Sequence, residues 1–200
     1  QPGIGYIRLT SFSDRTYHEL VTALSELDAE GMQGLILDLR FNPGGTLSAA
    51  IQVADEFVAS GPLIHFEDRN GDRASWDALE AGTRKPIPMV ILVNGSSASA
   101  SEIVAGALRD HGLAVLVGTK TFGKGVVQTV VPLRDGGALS LTEQIYLTAG
   151  GHDINHSGIE PDYELEISDE ELEAIFLGEA EVDRQLEKAI EIVSAQLYGE

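Results

Sequence analysis

The hydroxyl-rich stretch Asn94-Gly95-Ser96-Ser97-Ala98-Ser99-Ala100-Ser101-Glu102 is the first place in this sequence where side chains could do covalent chemistry. Small residues run there from an apolar segment into the start of a helix. A helix start offers unpaired N–H groups and the positive end of a dipole, which suits an oxygen that gains negative charge during a reaction. The same residues also satisfy a structural pattern. Ser99-Ala100-Ser101-Glu102 is a capping box, with Ser99 at the N-cap and Glu102 three residues on. Spacing alone favours capping over nucleophilic chemistry and does not rank Ser96, Ser97, Ser99 and Ser101 against one another.

A serine hydroxyl is not ionised at neutral pH, so a nucleophilic serine needs a base. None of the histidines His18, His65, His111, His152 and His156 lies in a tightly specified setting. Lys124 does, within Thr121-Phe122-Gly123-Lys124-Gly125-Val126-Val127-Gln128. Burial of its amine against Phe122 or Val126 would disfavour the charged form, as a lysine base requires. The flanking glycines permit close backbone approach. If the segment is extended, Gln128 returns to the same face as Lys124 and its amide can hold the amine. The run Gly118–Gly125 also comes close to a phosphate-binding loop. It lacks the final Ser/Thr, and the β-branched residues that follow read as a strand, whereas a phosphate loop must open a helix.

Two further groupings have simpler readings. Asp38-Leu39-Arg40-Phe41-Asn42-Pro43-Gly44-Gly45 ends an apolar strand; tandem glycines there can aim N–H groups at an anion, but a tight turn with a structural Asp38–Arg40 pair explains the pattern equally. His152 and His156, with Asp153 between them, lie in a polar loop without a convincing third metal ligand.

Alternating apolar residues mark a strand over Ile4–Phe12, and Ser13 or Asp14 is placed to cap a helix closing at Gly31. Gly34–Leu39 and Pro88–Val93 read as strands covered on both faces. A helix is expected over Leu47–Ala59 and a hairpin over Pro62–Arg73 turning at Asn70-Gly71, with Glu80–Pro88 the loosest stretch. Then come a helix at Ser99–Asp110, strands at Leu113–Val117, Val126–Pro132 and Ala138–Leu147, and acidic helices at Ser168–Leu177 and Glu179–Leu197. This alternation predicts an α/β class, a mixed sheet core with flanking helices. The expected division is a core over residues 1–165 and an acidic helical segment over 166–200, packed on the core, a second copy or an adaptor.

The formal charge of −19 argues against nucleic acid and anionic lipid as partners. No apolar run is long enough to insert into a membrane. Absence of cysteine removes thiol catalysis, thiolate zinc sites and disulfides. Without an initial Met, a basic leader or a signal-like stretch, the sequence reads as a mature or excised piece.

Taken in order, these segments resemble the carboxy-terminal processing proteases, also called tail-specific proteases. The resemblance rests on Gly5-Tyr6-Ile7-Arg8-Leu9 with Ser11-Phe12, Asp38-Leu39-Arg40 with Asn42-Pro43-Gly44-Gly45, Ser97–Ile103, Thr121–Gly125 with Val127-Gln128, and Gly158-Ile159-Glu160-Pro161-Asp162. It runs from about Gly3 to Leu165. It implies a serine endopeptidase with Ser99 as nucleophile, Lys124 as base and Gln128 orienting that lysine. The Gly45 and Ala100 N–H groups would form the oxyanion hole, with no metal or cofactor. It implies a structural salt link at Asp110, protein or peptide substrates, a bacterial periplasmic setting, and a core akin to the Clp protease and crotonase folds. Two departures stand out. No PDZ counterpart precedes Gln1, and Leu147-Thr148-Ala149-Gly150-Gly151-His152 replaces the family's usual Pro-Ser-Gly loop.

Overall fold

The computed structural model describes residues 2–80 and 83–199, so Ala81 and Gly82 of the loose Glu80–Pro88 stretch lie outside it. Five parallel strands form the central sheet: β1 (Ile4–Arg8), β2 (Gly34–Asp38), β5 (Met89–Val93), β6 (Val115–Gly118) and β9 (Tyr163–Glu164), side by side in that order. A second, antiparallel sheet has the order β4 (Arg73–Asp77), β3 (Pro62–Asp68), β8 (Ala138–Leu147), β7 (Val126–Pro132). The expected α/β class holds. Parallel and antiparallel pairing, however, are segregated into separate sheets.

Strand periodicity explains the layers. Leu35, Leu37, Met89, Ile91, Val93 and Leu116 face one core, shared with α1 (Thr16–Ala29), α2 (Leu47–Asp55) and α3 (Ala100–Asp110). The intervening Ile36, Val90, Leu92 and Val117 face a second core completed by Ala189, Ile192 and Val193 of α5 (Arg184–Tyr198). That is why these strands read as unbroken apolar runs. The apolar stripe of α5 is thus used within the chain, while the shorter α4 (Asp169–Leu177) buries Ile175 and leaves Phe176 exposed.

Some boundaries differ from expectation. The first strand stops at Arg8, because Leu9 and Phe12 turn to follow the glycine turn; Phe12 N–H bonds the Gly44 carbonyl at 2.9 Å. Neither Ser13 nor Asp14 is the N-cap of α1: Arg15 holds that position, and Ser13 N–H donates to Thr16 Oγ1 at 2.9 Å. The second helix ends at Asp55 rather than Ala59. Asp110 accepts a hydrogen bond from Gly150 N–H at 2.7 Å, and the ion pair at that corner joins Arg109 to Asp162.

Candidate active site

Strand β5 delivers its chain into α3 through Asn94–Ser99, and small residues there allow tight packing on the glycine turn. Ser97 Oγ donates to the Leu39 carbonyl at 2.8 Å, and Ser101 Oγ to the Asn42 carbonyl at 2.9 Å. These two serines are structural and buried. Ser99 differs. It is partly exposed at the N-cap of α3 with φ 55° and ψ −112°, a conformation that costs a non-glycine residue ~1–3 kcal/mol.

The glycine turn lies against it. A Cβ on Gly44 would fall 2.9 Å from Ala100 N, and one on Gly45 would fall 1.9 Å from the Phe12 carbonyl oxygen, so neither position tolerates a side chain as built. Among the described residues, no acceptor engages the N–H of Gly45 or Ala100. Both residues line the same cleft as Ser99, Lys124, Gln128 and Tyr146.

Glu102 joins the two chemistry-bearing segments. Its carboxylate is fully buried and accepts from Ser99 N–H at 2.8 Å, Thr121 Oγ1 at 2.6 Å, Gly123 N–H at 2.7 Å and Lys124 N–H at 3.0 Å. The capping reading of Glu102 is therefore correct and incomplete. The lysine turn is also pressed on loop 154–158, where a Cβ on Gly123 would meet Gly158 N at 2.8 Å. The turn runs into β7, so no helix follows as a phosphate loop would need.

Lys124 departs from one expectation. It is exposed, and Phe122 is 63 % exposed, so neither Phe122 nor Val126 encloses the amine. Lys124 Nζ and Ser99 Oγ share the cleft without a hydrogen bond between them. Gln128 Nε2 reaches Thr142 Oγ1 across the hairpin at 3.4 Å rather than Lys124. A register shift between Val127 and Gln128 intervenes, so simple strand alternation does not relate Gln128 to Lys124. The histidines are elsewhere: His65 Nε2 lies 3.1 Å from the Ala149 carbonyl and His111 Nε2 2.8 Å from that of Pro62. His152 and His156 form no metal-binding cluster among the described residues.

Sequence reasoning passed over Tyr146, which occupies an apolar position of β8 and carries no motif. Its buried hydroxyl donates to the Lys124 backbone carbonyl. Burial, followed by the Glu102 charge, pushes the phenol well above its ordinary pKa, while a hydrogen bond with Ser99 opposes the shift. The phenol thus stays neutral while touching both segments. For a reaction run in this cleft, Tyr146→Phe is expected to lower kcat about five- to tenfold, the worth of one hydrogen bond of ~1–1.5 kcal/mol, with the shape of the pH–rate profile unchanged. Steady-state kinetics across pH would check this, and a changed profile would make Tyr146 a titrating participant.

The chain matches peptidase family S41 over residues 3–165. It is 40% identical over 199 residues to the carboxy-terminal-processing protease of Bartonella bacilliformis, covering 90% of this chain and 46% of that protein. It is 46% identical over 169 residues to the carboxyl-terminal-processing protease of Synechocystis sp., covering 83% and 39%. Among solved structures, the photosystem II D1 C-terminal processing protease superposes with a TM-score of 0.77 at 41% identity, over 82% of this chain and 42% of that one. The chain spans less than half the length of each of these relatives.

Proposed function

This chain belongs to peptidase family S41, and on that footing we propose that it is the catalytic core of a serine endopeptidase working through a Ser99–Lys124 pair. The observation that carries the proposal is the cleft. It gathers a strained, partly exposed serine at a helix start, the amine-bearing lysine turn, and two N–H groups without acceptors. Ser99 Oγ attacks the scissile carbonyl carbon as its proton passes to the neutral Lys124 amine. The carbonyl oxygen becomes an oxyanion held by the N–H groups of Gly45 and Ala100. Collapse breaks the C–N bond, and Lys124 returns the proton to the leaving amine. Water then attacks the acyl ester, again giving its proton to Lys124, and the peptide carboxylate and the Ser99 hydroxyl are released. No metal or cofactor enters these steps.

The substrate class proposed is a protein chain cut near its carboxy terminus, the class that the names of the relatives describe. A cell-envelope location, implied by the family resemblance, belongs to the same proposal.

The open Ser99–Lys124 arrangement favours a second reading, a gated core whose pair closes only when substrate fills the cleft. In that reading the substrate supplies the burial of Lys124 that the free chain lacks. A fluorophosphonate probe tests the proposal. The expected result is a single adduct mapped by mass spectrometry to Ser99 and absent from Ser99→Ala. Labelling that appears only with peptide present supports the gated reading, and no labelling in either condition overturns both.

A further inference from the structure

Residues 166–200 lie beyond the stretch matched to the peptidase family, yet they reach the catalytic turn. Arg40 is 1% exposed and sits between the two halves of this contact. On one side Asp38 accepts from Arg40 Nε at 3.0 Å and Nη2 at 2.7 Å. On the other, Asp183 takes Nη1 at 3.0 Å and Nη2 at 2.7 Å in a forked pair, and Gln185 Oε1 takes Nη1 at 3.2 Å. Gln185 is itself buried and anchored by its amide to the Leu165 carbonyl at 2.8 Å.

From Arg40 the chain passes directly into the glycine turn. Phe41 is held at φ 61°, which strains a bulky residue, and its ring meets Phe176 of α4 edge-on with centroids 5.3 Å apart. Asn42 follows; its side chain donates to the Leu9 carbonyl at 2.8 Å and accepts from Gly44 N–H at 2.9 Å. Its carbonyl accepts from Ala98 N–H at 3.1 Å, beside Ser99. A strained segment keeps such a shape only where its surroundings over-determine it.

We infer that Asp183 and Gln185 are positioning residues for the Gly44–Gly45 oxyanion turn, acting on it through the Arg40 guanidinium. The C-terminal segment is then part of the catalytic apparatus without touching substrate. This rests on the peptidase reading above.

Asp183 also caps α5, accepting from Leu186 N–H at 3.0 Å, so the test must separate the two roles. Asp183→Ser keeps a good N-cap and removes the forked carboxylate. At saturating fluorophosphonate its labelling rate is expected to fall about tenfold or more, with the half-saturating concentration unchanged, as a displaced oxyanion donor would produce. Amide protection at Gly44 and Thr46, the bonded N–H groups either side of Gly45, should fall with it. Val193→Ala loosens the same helix far from Arg40; it should lower the unfolding midpoint and leave labelling unchanged. Wild-type labelling and protection in Asp183→Ser would overturn the inference, as would equal losses in Val193→Ala. If the unaltered chain is labelled at Ser99 neither alone nor with peptide present, the peptidase reading fails, and amide protection still decides whether Asp183 governs the turn.

Discussion

Lys124→Ala is expected to lower peptide turnover by about 10⁴-fold while shifting stability by no more than about 0.5 kcal/mol. The two halves of that result have separate causes. Lys124 is exposed, and among the described residues its amine makes no ion pair or hydrogen bond, so its truncation leaves no cavity and no unpaired partner. Ser99 without a base, by contrast, remains a neutral hydroxyl facing a peptide carbonyl. Lys124→Arg should be equally inactive, because a guanidinium stays protonated and cannot accept the serine proton. Turnover of an unfolded protein such as casein, measured beside a urea unfolding curve, checks both halves. Retained turnover in Lys124→Ala would move the base elsewhere, and no histidine lines the cleft to receive the role.

The outline of this site was readable in the sequence because each part is a local backbone device with its own signature. Tandem glycines mark a turn that a Cβ would block. Ser99-Ala100-Ser101-Glu102 marks a helix start, and Gly123 and Gly125 mark a lysine turn lying close to other backbone. The two-faced apolar runs of β2 and β5 likewise announced a sheet covered on both sides. Pairwise geometry across the chain was hidden. Strand alternation suggested that Gln128 and Lys124 share a face, yet the lysine precedes the strand and a register shift follows it. Apolar neighbours in sequence point to a buried Lys124, but Phe122 is largely exposed. Tyr146 and Asp183 lie far along the chain from the segments they touch, and a tyrosine in a strand or an aspartate before a helix has an ordinary local explanation. Local patterns disclose backbone shape, whereas long-range side-chain partners need the fold.

Glu102 shows how much can rest on such a partner. Glu102→Ala is expected to destabilise the chain by roughly 3–5 kcal/mol and to reduce turnover by about 10²-fold or more. The carboxylate is fully buried and is the acceptor for Ser99, Gly123 and Lys124 N–H groups and for the Thr121 hydroxyl. Truncation therefore strands several donors away from water, each at a cost of ~1–3 kcal/mol before relaxation. That loss is a large share of the ~5–15 kcal/mol that holds a domain folded. It also releases the start of α3 from the lysine turn, so the reacting groups lose their common anchor. Glu102→Gln preserves the shape but turns an N–H₂ group toward donors, and it should fall between the two on both measures. The Phe122 N–H bond to the Ser97 carbonyl at 3.0 Å also ties these segments. A Glu102→Ala variant with an unchanged urea midpoint and full turnover would show that this backbone tie suffices. Lost turnover at an unchanged midpoint would instead assign Glu102 to the alignment of Ser99 and Lys124 alone.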